Sequence, residues 1–285
     1  MKKQTFLAAC CIILALLPTQ GAERVSGVTL GPTSATLGES GKIQVPEGYV
    51  LLDGDRTRKL LKAAGEPTSG QEVGWLRPTN GDYSVMFEFN PVGYIKDDEK
   101  DKLDADKLLA SIKAGNDEAN KDREKAGRSR VEVVGWDIPP HYDEATHNLE
   151  WAIRGSVNGE PILNYNTRLL GRKGVMEVVL IVDPKDVPAT LPQFKSLLAG
   201  YSFQSGQSYA EYRSGDKVAK YGLTALVVGG AAVGAAKLGL LGPVILLFKK
   251  AWKLVVVAFA AVVGFFKKMF RKVTGKDRQP AASQE

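Results

Sequence analysis

The sequence predicts an α+β fold, built on a mainly antiparallel sheet with two or three helices and followed by a C-terminal transmembrane helix or helical hairpin. Several segments alternate apolar and polar residues between short turns, which is typical of paired strands. A few charged stretches carry apolar residues at helical spacing. The run 221–248 contains a single charge, Lys237, and is long enough to span a bilayer.

The first half of the expected domain consists of short strands, one helix, a hairpin and a long helix. Four strands are expected at 28–30, 35–37, 42–45 and 49–53, and a short helix over 55–64 ends at Gly65. Segments 73–77 and 83–89 flank a turn from Pro78 to Gly81, which indicates a hairpin. From Asp97 to about Gly127 the chain predicts one long helix, whose apolar stripe consists of Leu103, Leu108, Leu109 and Ile112.

The second half predicts a strand at 131–136, ended by Pro139 and Pro140, and then an antiparallel meander. The meander strands are expected at 149–157, 162–170 and 175–182, followed by a helix over 187–199 and a strand at 201–204. This closing pattern is similar to small domains of the photosystem-subunit type, as an analogy of fold alone. Along the central meander strand, one face carries three polar residues, which indicates either a binding surface or a face exposed to water: Asn164, Asn166 and Arg168.

Residues 1–22 have the pattern of a secretory signal peptide. Lys2 and Lys3 precede an apolar stretch from Phe6 to Leu17, and small residues allow cleavage after Gly21 or Ala22. Both cysteines of the chain, at positions 10 and 11, lie inside this stretch. A disulfide scaffold and a cysteine-ligated metal site are therefore excluded from the exported domain, which we place at 23–206.

The C-terminal part is expected to comprise a linker (207–220), a transmembrane helix (221–248), a second apolar, cation-flanked membrane helix (249–272) and a disordered tail (273–285). A single span would leave the cationic tail in the cytoplasm, whereas a hairpin would return it to the domain's side, and both topologies stay open. Small residues recur four apart, which either favours close helix packing and a homodimer or reflects the usual composition of membrane helices: Ala225, Gly229, Gly230 and Gly234.

The net charge of +6 has an uneven distribution along the chain. Residues 207–285 contain thirteen basic and four acidic residues, whereas 23–206 contain 23 basic and 28 acidic residues. The expected domain is therefore acidic, which argues against nucleic-acid binding. The positive charge flanks the apolar segments, where it would contact the headgroups of a lipid bilayer.

Few residues indicate chemistry. The chain lacks a phosphate-binding GxxxxGK[ST] loop, a GxSxG nucleophile elbow and an HExxH zinc motif. Its two histidines lie in one short segment with carboxylates, so His141, Asp143 and His147 are candidates for a catalytic or metal-binding cluster. The alternative is a polar connection between two strands. No cofactor and no metal site is predicted.

Four stretches of the sequence are similar to those of one bacterial family: GWLRPTNGDYSVMFEFNPVGYIKDDEKDKLDADKLLASIKAGN (74–116), EVVGWDIPPHYDEATHNLEWAIRG (132–155), NYNTRLLGRKGVMEVVLIV (164–182) and GGAAVGAAKLGLLG (229–242). The family consists of uncharacterised membrane-anchored proteins and is named for domain of unknown function 2167. The resemblance implies an exported domain with a C-terminal membrane anchor. It implies no established activity, so no catalytic residue is transferred from it.

The sequence favours a non-enzymatic interaction or scaffold module. We expect it in the cytoplasmic (inner) membrane of a bacterium, with the main domain on the extracytoplasmic side and other envelope proteins as partners. Two alternatives stay open. One is an envelope hydrolase or metal-dependent enzyme that uses the His141–His147 segment, and the other is a ligand sensor coupled through the Gly-rich anchor.

Overall fold

The computed structural model describes residues 26–229, which form two antiparallel sheets with helices on both faces of the larger one. The larger sheet has eight strands and pairs distant parts of the chain. In spatial order its strands are β1 (Val28–Leu30), β4 (Tyr49–Asp53), β5 (Glu72–Pro78), β6 (Ser84–Asn90), β10 (Val175–Val182), β9 (Glu160–Leu170), β8 (Asn148–Val157) and β7 (Val131–Asp143).

One face of the large sheet packs against a second, three-stranded sheet and a helix. The small sheet has the order β11 (Tyr201–Phe203), β3 (Gly41–Val45) and β2 (Thr33–Leu37), and the helix is α3 (Val187–Ala199). Because side chains alternate along a strand, Val85 and Leu180, which are direct cross-strand neighbours, point to this same face. They form the main core with Leu37, Ile43 and Phe194.

The opposite face is covered by α1 (Gly54–Ala63) and α2 (Ala105–Lys125) and is called here the α1/α2 face. Each helix begins at an aspartate, Asp53 or Asp104, whose carboxylate accepts a hydrogen bond from a backbone N–H of the first turn. Leu61 of α1 packs in a cluster with Trp75, whereas Leu108 of α2 packs in another with Leu149 and Trp151.

Most predicted elements are confirmed, namely the mainly antiparallel sheet, the early strands, the hairpin, the short first helix, the meander and the helix before the last strand. The long helix begins later than predicted. Residues Lys100–Lys102 form a 3-10 turn, and α2 begins only after Asp104. The Asp104 carboxylate accepts the Lys107 N–H at 3.1 Å, so this aspartate, rather than the acidic run before it, starts the helix.

The prediction that Pro139 and Pro140 end their strand is wrong, because β7 continues to Asp143. β7 is an edge strand that pairs only with β8, so an N–H on its outer side has no strand to bond. Proline is tolerated at such positions and at register irregularities, and the β7–β8 register shifts between Ile138 and His141.

The segment 207–220, expected as a linker, lies against the large sheet. Ser208 forms a bridge with Gly171, and Val218 forms one with Tyr94. Arg172 donates two hydrogen bonds to the Asp216 carboxylate, at 2.7 and 2.8 Å. The folded unit therefore extends beyond residue 206.

A short helix, α4 (Leu223–Val227), follows this segment. Its buried side chains, Leu223, Leu226 and Val227, belong to the same core cluster as Leu149 and Tyr209. This cluster, which lies beneath α2 and α4, is called the α4 cluster below. The start of the apolar C-terminal run is thus part of the domain's core.

Within residues 26–229, the structure contains no helix that combines the length and the apolar character needed to cross a membrane. Ala225 lies in α4, and Gly229 follows this helix with φ 113°. The close helix packing expected of these small residues stays a prediction. Gly230 and Gly234 lie outside the described residues. So do the predicted signal peptide, most of the predicted helix 221–248, the second apolar helix and the tail.

Candidate functional site

The three predicted candidates His141, Asp143 and His147 occupy the end of β7 and the turn that follows it. His141 is exposed, and its Nε2 lies 3.8 Å from Oε2 of Glu150. The Asp143 carboxylate accepts the backbone N–H of Ala145 at 2.8 Å, and this bond is the main cause that lowers the pKa of Asp143. Asp143 therefore stabilises the turn.

His147 belongs to a hydrogen-bonded chain with Tyr142 and Asp97. The Tyr142 hydroxyl donates to Oδ2 of Asp97 at 3.0 Å and lies 3.0 Å from Nδ1 of His147. Burial, and next the bond to Asp97, raise the pKa of Tyr142, so this hydroxyl resists ionisation and is unsuited to act as a nucleophile near neutral pH. The His147 ring packs against Tyr209, with the ring centroids 4.6 Å apart.

The histidines contact different partners, so their closeness in sequence does not produce a common site. In the part of the chain that the structure describes, no three His, Cys, Asp or Glu side chains are grouped so as to hold a metal ion. The chain Asp97–Tyr142–His147 instead ties the segment before α2 to the turn after β7.

A second polar group crosses the middle of the large sheet on its α1/α2 face. The strand register places Glu72, Glu88, Glu177 and Arg168 side by side on β5, β6, β10 and β9. We call these four residues the charged row. Asn164, Asn166 and Arg168 are all buried, so the expectation of a face presented to water is wrong, and the binding surface stays a prediction.

Hydrogen bonds hold the carboxylates of the charged row in place. Ser69 donates its hydroxyl to Oε1 of Glu88 at 2.6 Å and its backbone N–H to Oε1 of Glu72 at 2.6 Å. Glu177 accepts from the Asn90 amide at 3.1 Å and pairs with Nη2 of Arg168 at 3.2 Å. Thus Glu177 has a cationic partner, whereas Glu88 receives a neutral hydroxyl.

These different environments affect proton binding. The pKa of Glu88 is raised to about 7, mainly by burial; the nearby carboxylates of Glu177 and Glu72 also raise it, whereas the bond from Ser69 and the charge of Arg168 lower it. Glu88 therefore exchanges its proton near neutral pH. A buried carboxylic acid beside an arginine-paired glutamate is suited to proton exchange or to binding a cationic group.

An open groove of about 490 Å³ reaches the Glu72 end of the charged row. The charged residues that line it are mostly acidic. They are Asp53, Asp55 and Glu72, together with one cationic residue, Arg58. Arg58 donates to the Glu72 carbonyl at 2.6 Å and to Oδ1 of Asp55 at 2.5 Å. The groove thus offers acidic groups beside a proton-exchanging carboxylate.

The other end of the charged row contacts the α4 cluster. The Arg168 guanidinium carbon lies 4.7 Å from the ring centroid of Trp151, and Trp151 belongs to that cluster together with Leu223 and Leu226. A cation over an indole face is an attractive contact. The groove, the charged row and the start of the C-terminal apolar run therefore form one contiguous set of contacts.

Sequence reasoning identified only Arg168 among the charged row. The available signal was charge inside strands that are otherwise apolar, as at Glu88 and Glu177. That signal does not reveal which strands are neighbours, because β6 and β10 are separated by more than eighty residues of chain. The pairing of the sheet is needed to show that the four residues are adjacent.

Comparisons with known proteins place the chain in a family without an established role. No curated protein matches it. Among solved structures, the solution structure of cyanobacterial PsbP (CyanoP) from Synechocystis sp. PCC 6803 is similar with a TM-score of 0.36 and 11% identity, over 66% of this chain and 99% of that chain. A family model described as "Protein of unknown function (DUF2167)" matches residues 29–260, and the chain therefore belongs to this family.

Proposed function

We propose that this chain is a bacterial envelope protein whose acidic domain lies outside the cytoplasmic membrane, is anchored by the C-terminal apolar segments and acts through contacts with other envelope proteins. The burial of α4, which is the start of the apolar run, in the domain's core is the observation that carries this proposal. This burial supports a domain that is joined directly to its membrane anchor, without a flexible linker between them.

The contacts of α4 fix this helix firmly to the rest of the domain. Leu223 is fully buried, and the Thr224 N–H donates to Oε2 of Glu99 at 2.9 Å. A Cβ atom at Gly222 would lie 2.4 Å from the Glu99 carboxyl carbon, so the Glu99 side chain lies directly against the backbone at this point. Because these contacts fix α4 to the domain, a movement of the domain also moves the residues that follow α4.

The proposal of a non-catalytic role rests on the nature of the polar groups. The histidine segment stabilises a turn and a loop contact, and its Tyr142 hydroxyl is made harder to ionise. The hydrolase alternative requires that replacing both His141 and His147 by alanine abolishes an activity in a chain that still folds.

Fractionation and protease accessibility test the anchoring and the orientation. We expect the chain to sediment with membranes, to resist extraction by high salt and to be released by detergent. In spheroplasts, added protease should digest the domain, and a topology reporter after Glu285 would distinguish a span from a hairpin. Recovery in the soluble fraction, or a domain protected until the membrane is opened, would refute the proposal.

Photo-crosslinking in intact cells tests the interaction role. Val134 on β7 is 61% exposed, so a photoreactive residue there samples the edge of the sheet without disturbing the core. Leu30 on the opposite edge strand, 51% exposed, provides a matched position. A discrete adduct with another envelope protein supports the role, whereas adducts with lipid alone at both positions would contradict it.

A ligand sensor is the second candidate, favoured by the contacts that lead from the groove through Arg168 and Trp151 to α4. The physical basis is that a change of charge at Glu88 alters the field on Arg168, which packs on the α4 cluster. The hydrogen-exchange protection factors of residues 223–229, which are corrected for the intrinsic pH dependence of exchange, should then differ between pH 6 and pH 8 in the wild type but not in Glu88→Gln. Equal pH responses in both chains would count against sensing.

A further inference from the structure

Away from the charged row, the C-terminal ends of α1 and α2 meet. Each helix is followed by a glycine in the left-handed region, Gly65 with φ 74° and Gly127 with φ 65°. The next residue in each case turns its N–H back to the helix, Glu66 to the Leu61 carbonyl at 2.9 Å and Arg128 to the Arg123 carbonyl at 2.8 Å. These two residues then pair, with Nη1 of Arg128 lying 3.4 Å from Oε2 of Glu66.

A second arginine lies behind this pair. Arg123, in the last turn of α2, is only 2% exposed, and its Nε donates to the Ser129 carbonyl at 2.7 Å. Its Nη1 and Nη2 are buried without a hydrogen-bond partner, and so is Nε of Arg128. Buried cationic donors without acceptors are strongly unfavourable, so such donors require a partner.

The surrounding charges do not supply that partner. Glu66 is the carboxylate that attracts both Arg123 and Arg128, while its own burial raises its pKa. Arg130, also nearby in the chain, is occupied by Glu124 at 2.5 Å and Glu132 at 3.4 Å. Two guanidinium groups thus share one carboxylate, which leaves an excess of one positive charge.

We propose that Arg123 and Arg128 bind a small oxyanion, such as phosphate, sulfate or a small carboxylate, between the C-terminal ends of α1 and α2. Guanidinium groups present parallel N–H donors that match two oxygens of such an anion. The carbonyl ends of helices repel anions, but the N–H groups of Glu66 and Arg128 already satisfy carbonyls here. The excess positive charge of the two guanidinium groups therefore outweighs the partial charges of the helix ends.

The local structure leaves a way in. The Arg128 side chain is 25% exposed, so it forms the boundary between the buried Arg123 and solvent. No atom lies within 4 Å of where a Cβ would stand at Gly65 or Gly127, so the space beside both helix ends is open.

Calorimetry of the full-length chain in detergent micelles, titrated with inorganic phosphate at low ionic strength, tests the site. We expect saturable binding at one site and a phosphate-dependent rise of the unfolding midpoint. Arg128→Gln should weaken binding at least tenfold, whereas Glu66→Gln, which removes the competing carboxylate, should strengthen it. Arg128 is preferred to Arg123 because its partial exposure makes misfolding of the variant less of a concern.

Arg130→Gln is the matched control, because this exposed arginine lies two residues away and already has carboxylate partners. Binding that is unchanged in this variant supports the site. An equal loss in Arg130→Gln and Arg128→Gln, or the same midpoint rise with sodium chloride at equal ionic strength, would overturn the proposal. So would the absence of saturable heat in the wild type with both phosphate and acetate.

Discussion

Replacing Glu88 by glutamine should remove a large part of the pH dependence of stability. Glutamine has nearly the shape of the protonated acid, and its carbonyl can still accept the hydroxyl of Ser69, which lies 2.6 Å from Oε1 of Glu88. The variant therefore mimics the low-pH state of this site at every pH. The variant avoids the free-energy cost of ionising a carboxyl group that is buried beside Glu177 and Glu72.

The magnitude follows from linkage between proton binding and folding. The pKa of Glu88 is raised from 4.5 to about 7 by folding, so between these values the folded chain holds a proton that the unfolded chain has lost. Stability from this group is therefore present below pH 4.5 and is lost as pH rises through 7. At about 1.4 kcal/mol per pKa unit, the loss amounts to about 3 kcal/mol.

Denaturant unfolding at several pH values, followed by tryptophan fluorescence, measures this effect. At pH 8 the Glu88→Gln chain should be more stable than the wild type by up to about 3 kcal/mol, or about 6–12 °C in melting temperature, and at pH 4 the two should be equal. Glu118→Gln, on the exposed face of α2, is the control and should follow the wild type. A difference between wild type and Glu88→Gln that is independent of pH would refute the reasoning.

Three other changes probe separate parts of the fold. Asn120→Ala removes the two hydrogen bonds that join α2 to the backbone N–H and carbonyl of Val131, at 2.9 and 2.8 Å. The free energy of unfolding should therefore fall by about 2–4 kcal/mol. A fall below about 0.5 kcal/mol would contradict this expectation. Arg172→Lys loses the paired bonds to Asp216 and should make the segment around residue 216 more sensitive to limited proteolysis, with an unchanged digestion pattern as the contrary result. Leu223→Ala opens a cavity in the α4 cluster and should lower the free energy of unfolding by about 2–5 kcal/mol. An unchanged free energy of unfolding would show that α4 does not contribute to the core.

The elements that were predicted well are those whose signals are local. The meander strands alternate apolar and polar residues between short turns, and the helix at 187–199 has its own apolar spacing. Where the prediction was wrong, a contact distant in sequence prevailed. Pro139 and Pro140 are compatible with a strand only because β7 is an edge, and edge position depends on the partner strands.

The candidate sites show the same division. The proximity of His141 and His147 in sequence suggested a cluster, but the strand and the turn direct the two rings to different partners, Glu150 and Tyr142. The pair of Arg128 with Glu66 joins residues that lie 62 positions apart. No local pattern indicates that these two will meet.

By itself the sequence determined the fold class, most strands and helices, the acidic character of 23–206 and the family, because each depends on composition, spacing or strings of adjacent residues. Only the tertiary structure decided that Glu72, Glu88, Glu177 and Arg168 form a row, that two guanidinium groups share one carboxylate, and that α4 belongs to the core. The physical reason is that strand register and helix packing bring together residues that are far apart in the chain, and burial there raises the pKa of Glu88.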